Sequence, residues 1–336
     1  MKFEKIAKRG YVADPTPLQE LKHFRKELGG PQIWIKRDDL LPFGGNKVRK
    51  MDYLFEEALQ AGADTVITAS TNQCCHNGIL LMLANREGMQ SKIIMETWGD
   101  PSYEFSSAPE YELYRLAGNP EVHVTSEFPS GPVSEMPLAL EIAHRVQEEG
   151  GKPWFISRGG EGPLGACGYV GAAFELVKQW KGQIPDVLVC PCGLGGTQAG
   201  LIVGLRMLGC PTKVVGIGVT GKSKAVMEQS VAAQCLALTT FLDIAPISDE
   251  WVCCVEGCAG EGYAKPFAGQ YQSMRMLAQT EGILTDPVYS GKTLFGLTEL
   301  IRRGVLDGAE RVVFLHTGGM SLYYDYHTLR PLLQEG

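Results

Sequence analysis

No run of about 18 consecutive apolar residues occurs in this 336-residue chain, so no segment has the length to cross a bilayer as a helix. The first residues, MKFEKIAKRGYVADP, carry charges throughout and lack the apolar stretch of a secretory leader. Positive charge is also scarce. Against 38 Asp and Glu stand 31 Lys and Arg, a formal charge of -7, which leaves no basic stripe for nucleic acid or anionic lipid. The ten cysteines are scattered, without the paired spacings of a zinc module or a disulfide framework. Cys253, Cys254 and Cys258 crowd together but have no clear fourth ligand, so no metal is expected. Repeats and low-complexity tracts are absent. The expectation is a soluble, cytoplasmic protein whose partner is a small molecule or another subunit, as in a homodimer.

The length exceeds what one growing core fills, so two domains, or one with a smaller inserted one, are expected. Short β-rich runs alternate with helical patterns: QIWIK (32–36), TVITA (65–69), KIIM (92–95), EVHVT (121–125), VLVC (187–190), KVVGIGV (213–219), WVCCV (251–255) and RVVFLH (311–316). Such alternation predicts an α/β fold with parallel sheets and helices on both faces. After the first strand, Met51, Leu54, Phe55, Ala58 and Leu59 recur at helical spacing, and Gly62 stands where a C-terminal cap belongs.

Five loops carry the candidate chemistry. LLPFGGNKVRK delivers Lys47 from a glycine turn to the mouth of a helix, which suits either a solvated charged turn or a lysine buried for carbonyl chemistry. VLVCPCGLGGTQAG places Gly193, Leu194, Gly195, Gly196 and Thr197 between a strand and a helix. Freed backbone amides at that helix's positive end suit one compact phosphate, while no Gly-Lys-Ser/Thr follows to make a Walker loop. The loop has glycines where a cation-based site would have arginines, so backbone amides are expected to do most of the holding. FLHTGG puts the Thr317 hydroxyl at the carboxyl end of a strand, where it could bond a heterocyclic nitrogen or cap a following helix, SLYYDYHTL. DPVYSGKT presents Tyr289 before a helix. TASTNQCCHNG is crowded with small donors at a helix start, which can hold a substrate carboxylate.

A lysine, a one-phosphate cradle, a hydroxyl for a ring nitrogen and a carboxylate loop together make the parts of a pyridoxal phosphate site. KRDDLLPFGGNKVRK, GLGGTQAG, LTDPVYSGK and HTGG resemble, in this order, the motifs of the D-cysteine desulfhydrase and 1-aminocyclopropane-1-carboxylate deaminase family, from about residue 16 to the last strand. The resemblance implies fold type II, with two three-layer α/β/α domains, the cofactor pyridoxal 5'-phosphate in the cleft between them, and an amino-acid substrate. Residues 1–55 with 166–336 would form the larger domain and 56–165 the smaller inserted one.

Carried over by position, Lys47 corresponds to the lysine that bears the cofactor, with Asn46 and Arg49 in support. Gly193, Leu194, Gly195, Gly196 and Thr197 correspond to the phosphate cradle, and Thr317 to the partner of the pyridine nitrogen. Tyr289, and more loosely Tyr263 in GEGYAKP, are similar to the family's active-site tyrosines. Gln73, Cys74, Cys75 and His76 stand where the family reads QSNH, so Cys74 replaces a serine beside the substrate's Cα and Cys75 an asparagine near the ring. Arg158 and Glu161 in SRGGEGPLG stand where relatives generally carry small or neutral residues. Ser290 after Tyr289, and Thr317, lean away from the deaminase branch.

The activity implied is α,β-elimination from a small amino acid with a β leaving group, D-cysteine or a sulfonated relative. Ring opening of 1-aminocyclopropane-1-carboxylate, a synthase or isomerase reaction, and a non-catalytic pyridoxal phosphate or redox-sensing protein stand as alternatives.

Overall fold

The computed structural model describes residues 3–97, 104–127, 131–182 and 184–319. Two sheets organise them. The larger runs in the order β1 (Leu18–Glu20), β2 (Gln32–Arg37), β10 (Arg311–His316), β7 (Val187–Cys192), β8 (Lys213–Gly218) and β9 (Cys253–Val255). The smaller runs β5 (Glu121–Thr125), β4 (Gln90–Glu96), β3 (Thr65–Thr71) and β6 (Pro153–Ile156). Every pairing is parallel except β1 on β2. Around them lie α1 (Lys22–Leu28), α2 (Lys47–Gln60), α3 (His76–Arg86), α4 (Pro109–Leu116), α5 (Pro137–Glu148), α6 (Pro163–Trp180), α7 (Gly196–Met207), α8 (Lys224–Leu242), α9 (Ala268–Glu281) and α10 (Ser290–Arg302).

Period-two alternation explains the layers, because successive strand residues face opposite sides of a sheet. On β7, Leu188, Cys190 and Cys192 pack with Ala173, Ala199 and Leu238 from α6, α7 and α8. The intervening Val187 and Val189 pack with Phe24, Leu277 and Leu294 from α1, α9 and α10. In the smaller sheet, Ile67 and Ala69 meet Ala139 and Ile142 of α5, while Val66 joins the buried stripe Val48, Met51, Leu54, Phe55 and Ala58 of α2. Helix α2 ends as its sequence predicts, with Gly62 at φ 74° one residue beyond the cap. The seams expected after residues 55 and 165 both fall inside continuous helices, α2 and α6.

Two strands escape the sequence pattern. β1 has three residues, and β6 opens on Pro153, which an edge strand tolerates because no ladder bond needs its missing N–H. WVCCV shortens to Cys253–Val255, because residues 249–251 form a 3-10 turn after Ser248. The helix SLYYDYHTL lies outside the described residues. Among the described residues no helix is long and apolar enough to cross a membrane.

Two junctions position the start of α2. In the first, Arg49 donates to Asp38 from Nε and Nη2 (2.8 and 2.7 Å) and to Glu175 of α6 from Nη1 (2.8 Å), while Tyr169 adds its hydroxyl to Asp38. Burial pushes the Asp38 carboxyl up, but the Arg49 charge outweighs it and holds the group below its usual range. The second junction is between backbones. Gly45 bridges Gly318, Asn46 N–H donates to the Thr317 carbonyl (3.0 Å), and Gly319 N–H donates to the Gly44 carbonyl (3.1 Å). A Cβ on Gly318 would lie 2.3 Å from the Gly44 oxygen, and the residue has φ 92°. Only glycine fits both demands.

Gly318→Ala is therefore expected to lower the unfolding free energy by at least about 2 kcal/mol, from overpacking and backbone strain. Gly78→Ala, on α3 with nothing within 4 Å of the new methyl, should be neutral or stabilising by about 0.5–1 kcal/mol. Urea denaturation of both variants checks the contrast.

Candidate active site

A cavity of about 190 Å³ opens where the two sheets' loops meet. Its lining gathers residues far apart in sequence: Asn46 and Lys47 at the start of α2, Cys74 and Cys75 before α3, Gly193–Thr197 between β7 and α7, Tyr263, Tyr289, and Thr317 after β10. These are most of the positions singled out in the sequence. Gln73 and His76 do not line it. The His76 ring is fully buried, with Nε2 2.9 Å from Thr68 Oγ1. Because the Thr68 hydroxyl donates to the Ile156 carbonyl, the imidazole Nε2–H is the donor to Thr68. Burial, with the charges of Lys47 and Lys50, pulls its pKa down to about 3 and keeps the ring neutral. Ser290 is also outside the cavity, fully buried and bonded to Asp286, which collects the amides of Val288, Tyr289 and Ser290.

The glycine loop has the geometry of an anion cradle. Gly195 has φ 102° and turns the chain into α7, whose first amides have no acceptor inside the helix. A Cβ on Gly196 would lie 3.4 Å from Lys50 Nζ and 3.2 Å from Glu161 Oε1. Lys50 thus adds a cation to the backbone amides. It is fully buried, and burial together with the Lys47 charge pulls its pKa down to about 8. Lys50 follows Lys47 by three residues, and that helical spacing puts both ammonium groups on one face. Thr71, Glu96, Arg158, Thr220 and Lys222 complete the polar wall. Arg158 pairs with the buried Glu96 (2.6 Å).

The same cavity holds a hydroxyl and thiol cluster. The Tyr263 and Tyr289 hydroxyls are 2.5 Å apart, and Tyr263 also reaches Thr71 Oγ1 (3.0 Å). Burial and the nearby Cys74 charge push both phenols well above their ordinary range, so both stay protonated. Cys74 moves the other way. The Cys75 thiol's hydrogen bond is the largest influence. Burial opposes it, and the Lys47 charge, the Tyr289 hydroxyl and the His76 amide reinforce it, so Cys74 is held well below the ordinary thiol range and Cys75 is pushed up. Lys292 fixes the loop behind Tyr263, donating to the carbonyls of Ala259 (2.7 Å) and Gly262 (2.5 Å).

The donor set fits pyridoxal phosphate: an amine at a glycine approach, a helix N-terminus with a lysine for a phosphate, and a buried hydroxyl at Thr317 for a ring nitrogen. The sequence profile of the family described as "Pyridoxal-phosphate dependent enzyme" matches residues 11–318. The chain belongs to this family. It depends on pyridoxal phosphate and has the fold type II architecture.

A 1-aminocyclopropane-1-carboxylate deaminase of Burkholderia vietnamiensis is 33% identical, over 95% of this chain and 96% of its own. A crystal structure titled as an ACC deaminase homologue superposes with TM-score 0.87 at 31% identity, over 99% of this chain and 97% of that one. Threonine deaminase isoform 2 of Solanum lycopersicum shares the fold, with TM-score 0.65 at 16% identity, over 96% and 84%.

The charge pattern at Cys74 gives a direct expectation. Iodoacetamide should alkylate Cys74 at neutral pH, at a rate that changes little between about pH 7 and 9, because the reactive thiolate is already formed. Peptide mass spectrometry reads the site and rate. A Cys74 rate that climbs toward the ordinary thiol pKa of about 8.5 would contradict the assigned charge state.

Proposed function

We propose that the protein is a lyase that converts a small amino acid with a β leaving group, D-cysteine or a sulfonated relative, into a 2-oxo acid and ammonia by α,β-elimination. The observation that carries this reading is that Cys74 and the hydrogen-bonded hydroxyls of Tyr289 and Tyr263 share one cavity with Lys47. When bound, the cofactor supplies an electron sink that stabilises negative charge at Cα.

The chain's residues do the rest. Lys47 would bear the cofactor, and its amine would serve as the base beside Cα. The amides of Gly193, Leu194, Gly195, Gly196 and Thr197, with Lys50, hold the phosphate. Thr317 would bond the ring nitrogen, and Asn46 and Cys75 line the cavity that would take the ring. The α3 N-terminus receives the substrate carboxylate, with Gln73 and His76 contributing through their backbone. Cys74 accepts or returns a proton near Cα, and Tyr289, backed by Tyr263, donates to the departing group. Arg49 holds α2 in place from behind through Asp38 and Glu175.

The reading includes two domains, one around each sheet, with residues 56–165 carrying the smaller and residues 1–55 and 166–336 the larger. It also includes an amino acid as the partner molecule and a homodimer in the cytoplasm, where all ten cysteines, free in this structure, stay reduced. Ring opening of 1-aminocyclopropane-1-carboxylate is the second reading, favoured by the name of the Burkholderia relative.

A panel of D-cysteine, cysteate and 1-aminocyclopropane-1-carboxylate, assayed for ammonia and 2-oxo acid, separates these readings. Elimination predicts turnover with release of sulfide or sulfite from one of the first two. Turnover of the cyclic amino acid alone would favour ring opening, and no product from any would sink the lyase reading. On the best substrate, Cys74→Ala should lower kcat by about tenfold or more with a smaller change in KM. Cys74→Ser should shift preference toward D-cysteine. Wild-type kinetics in both variants would reduce Cys74 to packing.

A further inference from the structure

The phosphate cradle contains a carboxylate. Glu161 follows the turn at residues 158–160, and its Oε1 lies 3.8 Å from Lys50 Nζ and 3.2 Å from where a Cβ on Gly196 would stand. Its other oxygen accepts a hydrogen bond from Gln234 Nε2 of α8 at 2.6 Å. The main chain at Glu161 is also pinned, because the Ser157 hydroxyl donates to its carbonyl (2.6 Å). The carboxylate is therefore held at the same helix N-terminus, against the same buried ammonium, that suits a phosphate.

Charge counting makes this arrangement consequential. Lys50 is fully buried, and a buried ammonium needs a partner. Glu161 is the carboxylate paired with it among the described residues. A phosphate entering the same corner brings up to two negative charges, and it has the α7 amides to bind as well. Two anions then face one buried cation, and the phosphate has the larger charge and more donors. Gln234 already donates to the Glu161 oxygen that does not face Lys50, so the carboxylate keeps a neutral partner when the phosphate takes its place at Lys50.

We propose that Glu161 is an exchangeable counter-ion of the cradle: it neutralises Lys50 until the cofactor's phosphate displaces it toward Gln234, and the competition sets how tightly the cofactor is retained. The proposal rests on the reading of residues 193–197 as the phosphate cradle. It assigns the chain a built-in limit on cofactor affinity, one that the amide cradle and Lys50 alone would not have. It also assigns Gln234, on α8 outside the cavity lining, to cofactor exchange.

The test is calorimetric titration of the full-length chain, stripped of cofactor, with pyridoxal phosphate and separately with pyridoxal, which lacks the phosphate. Glu161→Gln should lower the Kd for pyridoxal phosphate by about tenfold, the size expected for removing a partly buried like charge. The Kd for pyridoxal should stay within about twofold. Gln234→Leu, a change on the outer side of the same contact, should weaken pyridoxal phosphate binding instead.

A second readout does not involve cofactor affinity. Stripped Glu161→Gln should melt below stripped wild type, because Lys50 has lost its counter-charge, and added pyridoxal phosphate should close that gap. Unchanged or weaker pyridoxal phosphate binding by Glu161→Gln, or an equal gain for pyridoxal, would overturn the proposal. Should Glu161→Gln fail to fold, Gln234→Leu decides alone, and wild-type affinity in that variant overturns the proposal. If wild type discriminates no better for pyridoxal phosphate than for pyridoxal, it is the cradle reading that fails.

Discussion

The site depends on one close approach of two backbones. Residues 44–46 and 317–319 come near enough to exchange hydrogen bonds, and the space between them has no room for a Cβ at Gly318. That contact fixes the end of β10 against the start of α2, and so brings Lys47 and Thr317 into one cavity although 270 residues of chain separate them. Helix α2 cannot rotate away from this contact, because Arg49, one turn in, is locked to Asp38 and to Glu175 of α6. The cost of burying those charges is met inside the network, where each carboxylate has the guanidinium as partner. Rigid backbone near a reacting group is what a site needs to hold a cofactor in one orientation.

Electrostatics then divide the cavity. Lys50 lies at the cradle beside Gly196, while the Lys47 charge acts on Cys74, which shares the cavity with the phenols of Tyr263 and Tyr289. Burial pushes the phenols up, while the Cys75 hydrogen bond and the Lys47 charge bring the Cys74 thiol down against it. A protonated phenol can hydrogen-bond to the lowered thiol beside it, and the two opposite shifts keep the proton on the phenol. Replacing the resembled family's serine and asparagine by Cys74 and Cys75 therefore changes the charge of this wall as well as its size.

Much of the fold was legible because buried parallel strands leave a clear mark. VLVC and RVVFLH are apolar on both faces, and each became a central strand packed by helices on either side. β1 was hidden because it is three residues, LQE, with one apolar side chain, and β6 because its apolar run PWFI opens on Pro153, which argues against a strand unless the edge is known. The cavity-lining loops were legible from their glycines and their order along the chain. What the sequence hid was partnership across space. Lys50 resembled a solvated charge until packing placed it beside Gly196, and nothing near Glu96 in the chain points to Arg158. The His76 ring, in a reactive-looking loop, turns inward to Thr68 as an oriented structural histidine does.

Two lysines one turn apart share this cavity, so the central claim is that the glycine approach selects Lys47, and not its neighbour, to bear the cofactor. Reduction of the cofactor-loaded enzyme with borohydride, followed by peptide mass spectrometry, reads that choice directly. The expected result is reduced cofactor on Lys47, and its loss from the protein in Lys47→Ala. Label on Lys50, Lys222 or Lys292 in the wild-type chain would contradict it.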